Sequence, residues 1–241
     1  MRIFRIFCAR ALAPGQLIEL DEPARRHVSQ VLRLRAGQSL VLFDGSGRDF
    51  AAELTRCDRK ACTARVGEPI AAEASSALQL HLGIGISRGE RMDVAIQKSV
   101  ELGVNTITPL LTGRSVVQLD DERRARRLAH WRAVVIGACE QSGRSLLPTL
   151  HPVSTLPDWL AARRGGLMLY HRASRSLAAL AAPGPQLHLL IGPEGGLSES
   201  ERALARAADY LEVRLGPRVL RTETAPLAAL AAIQALWGDF R

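Results

Sequence analysis

The sequence predicts an α/β protein in two parts: a small barrel-like β module over residues 1–72 and a larger parallel-sheet domain over 73–241. Three observations carry this. The first part reads as short apolar runs broken by turn residues. The second alternates strand and helix patterns regularly, which calls for a mostly parallel sheet covered on both faces. Between them IAAEASSA, from Ile70 to Ala77, is small and Ser/Ala-rich, as a linker would be.

In the first part, LVLFDGSGRDFAAEL holds two apolar runs joined by Asp44-Gly45-Ser46-Gly47, a strong hairpin signal. One helix is predicted from Glu22 to Leu34, with Val28, Val31 and Leu32 on one face and Arg25, Arg26 and Arg33 elsewhere. The second part begins with strand LQLHLGIGI, helix ERMDVAIQKSVELG and strand TITPLL. A long helix from about Asp121 to Gly143, strand LPTLHPV and a short helix around Asp158 come next. Strand GLMLY and a short helix near Leu177 lead to strand LHLLIG, helix SESERALARAAD, strand LEVRLG and helix ETAPLAALAAIQALW.

The charge distribution narrows the partners. Net charge is +8, and all 32 basic residues except Lys60 and Lys98 are arginine. Residues 1–72 hold 12 basic and 8 acidic groups, the rest 20 and 16, so each part is +4. The shorter part is therefore the more densely basic, as an arm for a polyanion would be. MRIFRIFCAR has no uninterrupted apolar stretch, and no run approaches the roughly 18 apolar residues of a membrane span. A cytoplasmic protein without membrane or metal partners is expected. The four cysteines and six histidines show no zinc-ligand spacing.

Two nucleotide motifs fail on inspection. Gly83, Gly85 and Gly89 are spaced G-x-G-x-x-x-G, one residue too long for a dinucleotide fingerprint, and the first two fall inside a strand. IGPEGG lacks the lysine of a P-loop. What remains is a glycine-rich corner, LLIGPEGGLSESE, between a strand and a helix opened by a Ser198/Glu201 capping box. A second corner, LGPRVLRTETA, follows the next strand and is dense in Arg218, Arg221, Thr222, Glu223 and Thr224. In a parallel sheet both corners lie at the carboxyl ends of strands, where ligands bind. LMLYHRAS, after the preceding strand, is placed to line the same crevice.

IGPEGGLSESE followed by LGPRVLRTETA resembles the RsmE family, the bacterial 16S rRNA (uracil-N3)-methyltransferases of the SPOUT class. RRHVSQVLRLRAGQSLVLFDGSG is similar to the family's N-terminal PUA-like module. RMDVAIQKSVELGVNTITPLLTGRS and ACEQSGRSLLPTLHP are similar to its central part. Pro226 departs from the family pattern, and is harmless in a helix's first turn, where the missing N–H matters little. The resemblance implies a trefoil-knotted second domain, a homodimer, and S-adenosylmethionine bound in a bent conformation. The cofactor positions it implies are Leu169, Tyr170 and His171, then Ile191, Gly192, Pro193, Gly195 and Gly196. At the second corner they are Leu215, Gly216, Val219, Leu220, Thr222 and Thr224.

The implied reaction is methyl transfer to N3 of a uridine, uridine 1498 of 16S rRNA in the assembled small ribosomal subunit. The imide proton must leave, and the resulting anion must be stabilised at O2 and O4. Arg221 is the first candidate for stabilising it. Glu140, Glu194, Glu223 and His171 are candidate bases among which the sequence does not choose. Arg25, Arg26 and Arg33 are expected on rRNA phosphates. Gln97, Lys98, Gln141 and Arg144 are expected either on RNA or at the dimer contact. The alternatives are a SPOUT enzyme acting on another rRNA or on tRNA, and a non-catalytic RNA-binding assembly protein.

Overall fold

A computed structural model describes residues 4–73, 76–115 and 120–240. By contact density the chain divides into two units, one of Met1–Ser75 with Ile136–Leu147, the other of Ser76–Val135 with Pro148–Arg241. A single cut after residue 72 therefore omits a returning segment that belongs to the first unit.

The first unit contains β1 (Arg5–Phe7), β2 (Leu17–Glu19), α1 (Glu22–Arg26), β3 (Ser39–Phe43), β4 (Arg48–Cys57) and β5 (Cys62–Ala72). Its sheet runs β1-β3-β4-β5-β2, with β1 parallel to β3 and the other pairs antiparallel. All five strands and α1 send side chains to one core, including Ile6, Ile18, Ala24, Leu42, Leu54 and Ala64. A sheet whose strands all face one core wraps around it, as the barrel-like reading expects. The β3–β4 turn is the predicted hairpin, its Asp44 carboxylate accepting the N–H groups of Ser46 and Leu12, each at 3.0 Å.

The predicted helix from Glu22 to Leu34 is shorter and irregular. Asp21 caps α1 by accepting the Ala24 N–H at 3.0 Å, but from His27 to Val31 the chain widens into a π-helical turn. The extra residue in that turn shifts the facing pattern. Val28 is fully buried, whereas Val31, predicted beside it, is 71% exposed.

Residues of the returning segment are held by charge. The Glu73 carboxylate accepts the Leu146 N–H at 2.6 Å and pairs with Arg144 at 3.2 Å. Asp49, paired with Arg5, accepts the Ser145 hydroxyl at 2.5 Å.

The second unit contains β6 (Gln79–Gly85), α2 (Glu90–Glu101), β7 (Thr106–Leu111), α3 (Asp121–Ser142), β8 (Thr149–Leu150), β9 (Ser154–Thr155) and α4 (Leu156–Ala162). β10 (Gly166–Leu169), β11 (Gln186–Ile191), α5 (Glu199–Ala207), β12 (Tyr210–Val213) and α6 (Thr224–Trp237) follow. The last residues of α3 fall in the first unit. Sheet order is β12-β10-β11-β6-β7-β8, with β9 also on β7, and every pairing is parallel. Of LPTLHPV, predicted as one strand, only Thr149–Leu150 pairs as β8; Pro152 has no N–H for the ladder, and β9 begins just beyond the segment at Ser154.

β10 lies between β11 and β12, with Leu169 level with Val213 and Met168 with Leu190. Three neighbouring parallel strands therefore end at one edge. The glycines of β6 serve packing: a Cβ on Gly83 would lie 2.6 Å from the Trp159 ring, and one on Gly85 2.5 Å from Pro193. Pro226 sits in the first turn of α6, where it is buried without loss of a helical bond.

Candidate functional site

The edge where β10, β11 and β12 end opens into a crevice of about 530 Å³, a volume usual for a small-molecule site. Leu169, Tyr170 and His171 enter it after β10. Ile191, Gly192, Pro193, Gly195 and Gly196 enter after β11, and Leu215, Gly216, Val219, Leu220, Arg221, Thr222 and Glu223 after β12. Thr224 does not line it: as the first residue of α6 it is exposed, and its N–H donates to the Arg221 carbonyl at 3.0 Å.

The first corner folds tightly on itself. A Cβ on Gly192 would lie 2.8 Å from the Leu197 nitrogen, and Gly196 takes φ +66, a left-handed conformation natural to glycine. The Gly196 N–H donates to the Pro193 carbonyl at 2.8 Å, closing the turn. Ser198 and Glu201 then form a complete capping box.

Residues around the start of α2 and in the turn after β7 secure this corner from two sides. The Arg88 N–H donates to the Glu194 carboxylate at 2.9 Å, and Arg91 donates at 3.2 Å. Partial burial raises the pKa of Glu194, but the N–H groups of Arg88 and Glu194 and the Arg91 guanidinium outweigh it. The carboxyl is held below its usual range. On the other side Arg114 donates to the Gly195 carbonyl at 2.9 Å, its stem so close that a Cβ on Gly195 would lie 3.1 Å from it. The Gly113 N–H donates to Glu201 at 2.7 Å, so the capping glutamate holds a distant turn as well as its helix.

Tyr170 is held by an arginine that the sequence reading did not include. The Arg202 guanidinium lies 3.8 Å above the Tyr170 ring, and is itself paired with Glu199 and, at 3.1 Å, Glu212. At the second corner Arg214 donates to the carbonyls of Ala173 and Ser174 at 2.6 and 2.7 Å, fixing the chain after Tyr170. The hydroxyls of Thr222 and Ser87, both buried, lie 2.9 Å apart.

Of the candidate bases, Glu223 lines the crevice, and its Oε2 is buried without a hydrogen-bond partner. Glu194 is committed to Arg88 and Arg91. His171 lines the crevice with its ring edge-on to Tyr170, at 5.2 Å between centroids. Glu140 belongs to the first unit and does not line the crevice. Its carboxylate accepts the Phe7 N–H at 3.0 Å and lies 3.4 Å from His27. Burial raises its pKa against the opposing pull of the Phe7 N–H and His27.

The predicted RNA-contact residues divide. Arg33 and Gln141 are exposed, and Arg26 is exposed and paired with Glu22. Arg25 donates to the Arg59 carbonyl, and Lys98 pairs with Glu101 at 2.8 Å beside a half-buried Gln97. Arg144 has a side chain only 11% exposed and engaged with Glu73, so it serves the fold of its own unit. Among the described residues no cluster of three or more His, Cys, Asp or Glu could hold a metal ion. Nor is any described helix long and apolar enough to cross a membrane.

Arg91, Arg114, Arg202 and Arg214 line the crevice without having been singled out. Arg91, in the first turn of α2, and Arg114, in the turn after β7, are distant in sequence, so nothing local marks them. Arg202 was legible only as the residue four after Ser198 on an amphipathic helix.

Residues 74–234 match the RNA methyltransferase domain family, and residues 20–67 the RNA methyltransferase PUA domain. The chain is 30% identical to the ribosomal RNA small subunit methyltransferase E of Buchnera aphidicola, over 100% of this chain and 96% of that one. A Legionella pneumophila methyltransferase solved with bound SAM superposes with TM-score 0.96 at 40% identity, covering both chains fully. The Neisseria gonorrhoeae ribosomal RNA small subunit methyltransferase E bound to S-adenosyl methionine gives 0.92 at 38%, again over both full chains. The pairing of a PUA-like unit with an all-parallel sheet, and full-length identity to these relatives, establish that the chain belongs to the ribosomal RNA small subunit methyltransferase E (RsmE) family.

Proposed function

We propose that this chain methylates N3 of a uridine in 16S rRNA, uridine 1498 in the assembled small subunit, using S-adenosylmethionine held in the crevice. The observation that carries the reading is the convergence of three strand ends on one crevice, with Arg221 and Glu223 in its wall. The residues present suit this cofactor. Leu169, Ile191, Leu197 and Leu215 offer apolar surface to an adenine, and the tight glycine corner offers bare backbone. The Glu223 carboxylate in the crevice wall is acceptable near a cationic sulfonium and would repel a phosphate. Bound there, the cofactor supplies a methyl group already activated for transfer.

The protein's own task is to place the base and manage one proton. Glu223, whose carboxylate lines the crevice, accepts the N3 proton. The Arg221 guanidinium, planar and permanently charged, donates to the uracil oxygens on which negative charge develops. Thr222, anchored on Ser87, fixes the backbone between these two residues. N3 pairs in duplex RNA, so the target base must be unstacked to reach them.

The same reading includes a trefoil knot in the second unit, a homodimer and a cytoplasmic location, where ribosomal subunits are found. Support for the dimer comes from α6, TAPLAALAAIQALW, which apart from Thr224 and the buried Gln234 is apolar yet leaves Leu236 40% exposed.

Methyl transfer to small subunits, naked 16S rRNA and tRNA, followed by nucleoside analysis, tests the assignment. The expected product is 3-methyluridine from small subunits. Label in tRNA alone would overturn the substrate, and absence of S-adenosylmethionine binding in calorimetry would overturn the enzyme reading. Arg221→Ala is expected to lower kcat by about 10²-fold or more with cofactor affinity little changed. Glu223→Gln is expected to lower kcat by about 10²- to 10⁴-fold.

A further inference from the structure

The charge around the crevice exceeds what the proposed cofactor needs. Six arginines line it, against the carboxylates of Glu194 and Glu223. Three of the six are occupied: Arg91 by Glu194, Arg202 by Glu199 and Glu212, and Arg214 by two carbonyls. Arg114, Arg218 and Arg221 have no carboxylate partner among the described residues. Arg221 is assigned above to the uracil. Arg114 and Arg218 remain, both exposed, on two separate loops that reach the same crevice.

S-adenosylmethionine carries a sulfonium and an ammonium against one carboxylate, so two spare guanidinium groups do not complement it. They do complement a phosphodiester backbone. Arg114 spends a single donor on the Gly195 carbonyl, which fixes its stem and leaves the rest of its fork of five N–H groups available. Next to Arg218, Val219 also lines the crevice and is 72% exposed, an apolar side chain suited to a ribose or an unstacked base.

We propose that Arg114 and Arg218 form a phosphate clamp at the crevice mouth, holding single-stranded RNA by the phosphates flanking the target nucleotide. This rests on the methyltransferase reading above for the identity of the strand, though binding of RNA at this mouth does not require turnover. The clamp would act beside any contacts of the N-terminal unit, fixing which nucleotide enters the crevice.

The test is binding of a fluorescent oligouridylate to the full chain, followed by anisotropy between about 50 and about 200 mM salt, with cofactor binding measured separately by calorimetry. Arg114→Gln and Arg218→Gln are each expected to weaken RNA binding about two- to fivefold. Each should reduce the slope of log affinity against log salt by about 0.7. S-adenosylmethionine affinity should stay near that of the parent protein in Arg218→Gln, whereas Arg114→Gln also frees the Gly195 carbonyl, so for that variant the salt slope is the deciding readout. Arg132→Gln, an exposed charge on α3 outside the crevice, should leave the slope unchanged. Thermal melts confirm that the variants fold. An unchanged RNA slope with weakened cofactor binding would make the two arginines carboxylate readers and overturn the clamp. Equal slope loss in Arg132→Gln, or no change in any variant, would overturn it too. The RNA measurement contains no methyl transfer, so failure of the catalytic reading would appear separately, in the nucleoside analysis.

Discussion

Glu201 and Gly113 lie 88 residues apart in sequence, and the Glu201 carboxylate accepts the Gly113 N–H at 2.7 Å. Its other oxygen accepts the Ser198 N–H at 2.8 Å, so one side chain both opens α5 and ties the turn after β7 to the glycine corner. Ser198 contributes only locally: its hydroxyl accepts the Glu201 N–H at 3.2 Å and lies 3.0 Å from the Ser200 hydroxyl.

The two residues should therefore separate on substitution. Ser198→Ala is expected to cost about 1 kcal/mol of stability with cofactor affinity unchanged. Glu201→Ala should cost about 1–2 kcal/mol and weaken S-adenosylmethionine binding as well, because it also leaves the Gly113 N–H without its acceptor. Denaturant titration reads the first quantity and calorimetry the second.

Gly83 and Gly85 make a similar contrast within β6. The Gly83→Ala methyl would press into the Trp159 ring in the core, and the Gly85→Ala methyl into Pro193 of the glycine corner. Each is expected to destabilise by about 1–3 kcal/mol. Only Gly85→Ala should also lower cofactor affinity, since it displaces a wall of the crevice. Loss of affinity in both variants would show that the corner responds to packing throughout the sheet.

Acid should weaken the second unit through its histidines. Burial, then the nearby charges of His188, Arg163 and His151, lower the His81 pKa from its ordinary 6.5. Burial and Arg163 do the same for His151. The unfolded chain takes up protons as pH falls through 6.5 while the folded imidazoles resist. Stability present above that pH is therefore lost as pH falls from it toward the lowered values. Guanidinium unfolding over this window should show a shallower pH dependence in His81→Gln than in the parent chain, whatever the substitution does to absolute stability. An unchanged slope would mean that His81 titrates alike in both states.

Much of the architecture was legible because it is written in local patterns. The Asp44–Gly47 turn, the strand runs LQLHLGIGI and LHLLIG, and the Ser198/Glu201 cap each depend on neighbouring residues, and each forms as the pattern predicts. The π-helical turn at His27–Val31 was not legible, since the spacing of Val28, Val31 and Leu32 suits an ordinary helix equally well. Glu140 and Arg144 were read from residue type and from ACEQSGRSLLPTLHP, the segment that resembles the family's central part. Their neighbours Phe7, His27 and Glu73 are far away in sequence, and those contacts decide what the two side chains do.

The sequence by itself determined that two consecutive strands end in ligand-type corners, because glycine spacing and strand alternation act over a few residues. Which side chains complete the crevice was decided only by tertiary structure. Parallel strands bring together segments that are remote in the chain, so Arg91 and Arg114 reach the corner from positions that no local rule connects to it. The same convergence separates the four candidate bases: Glu194 is committed to Arg88 and Arg91, Glu140 lies in the other unit, and His171 and Glu223 line the crevice, His171 edge-on to Tyr170.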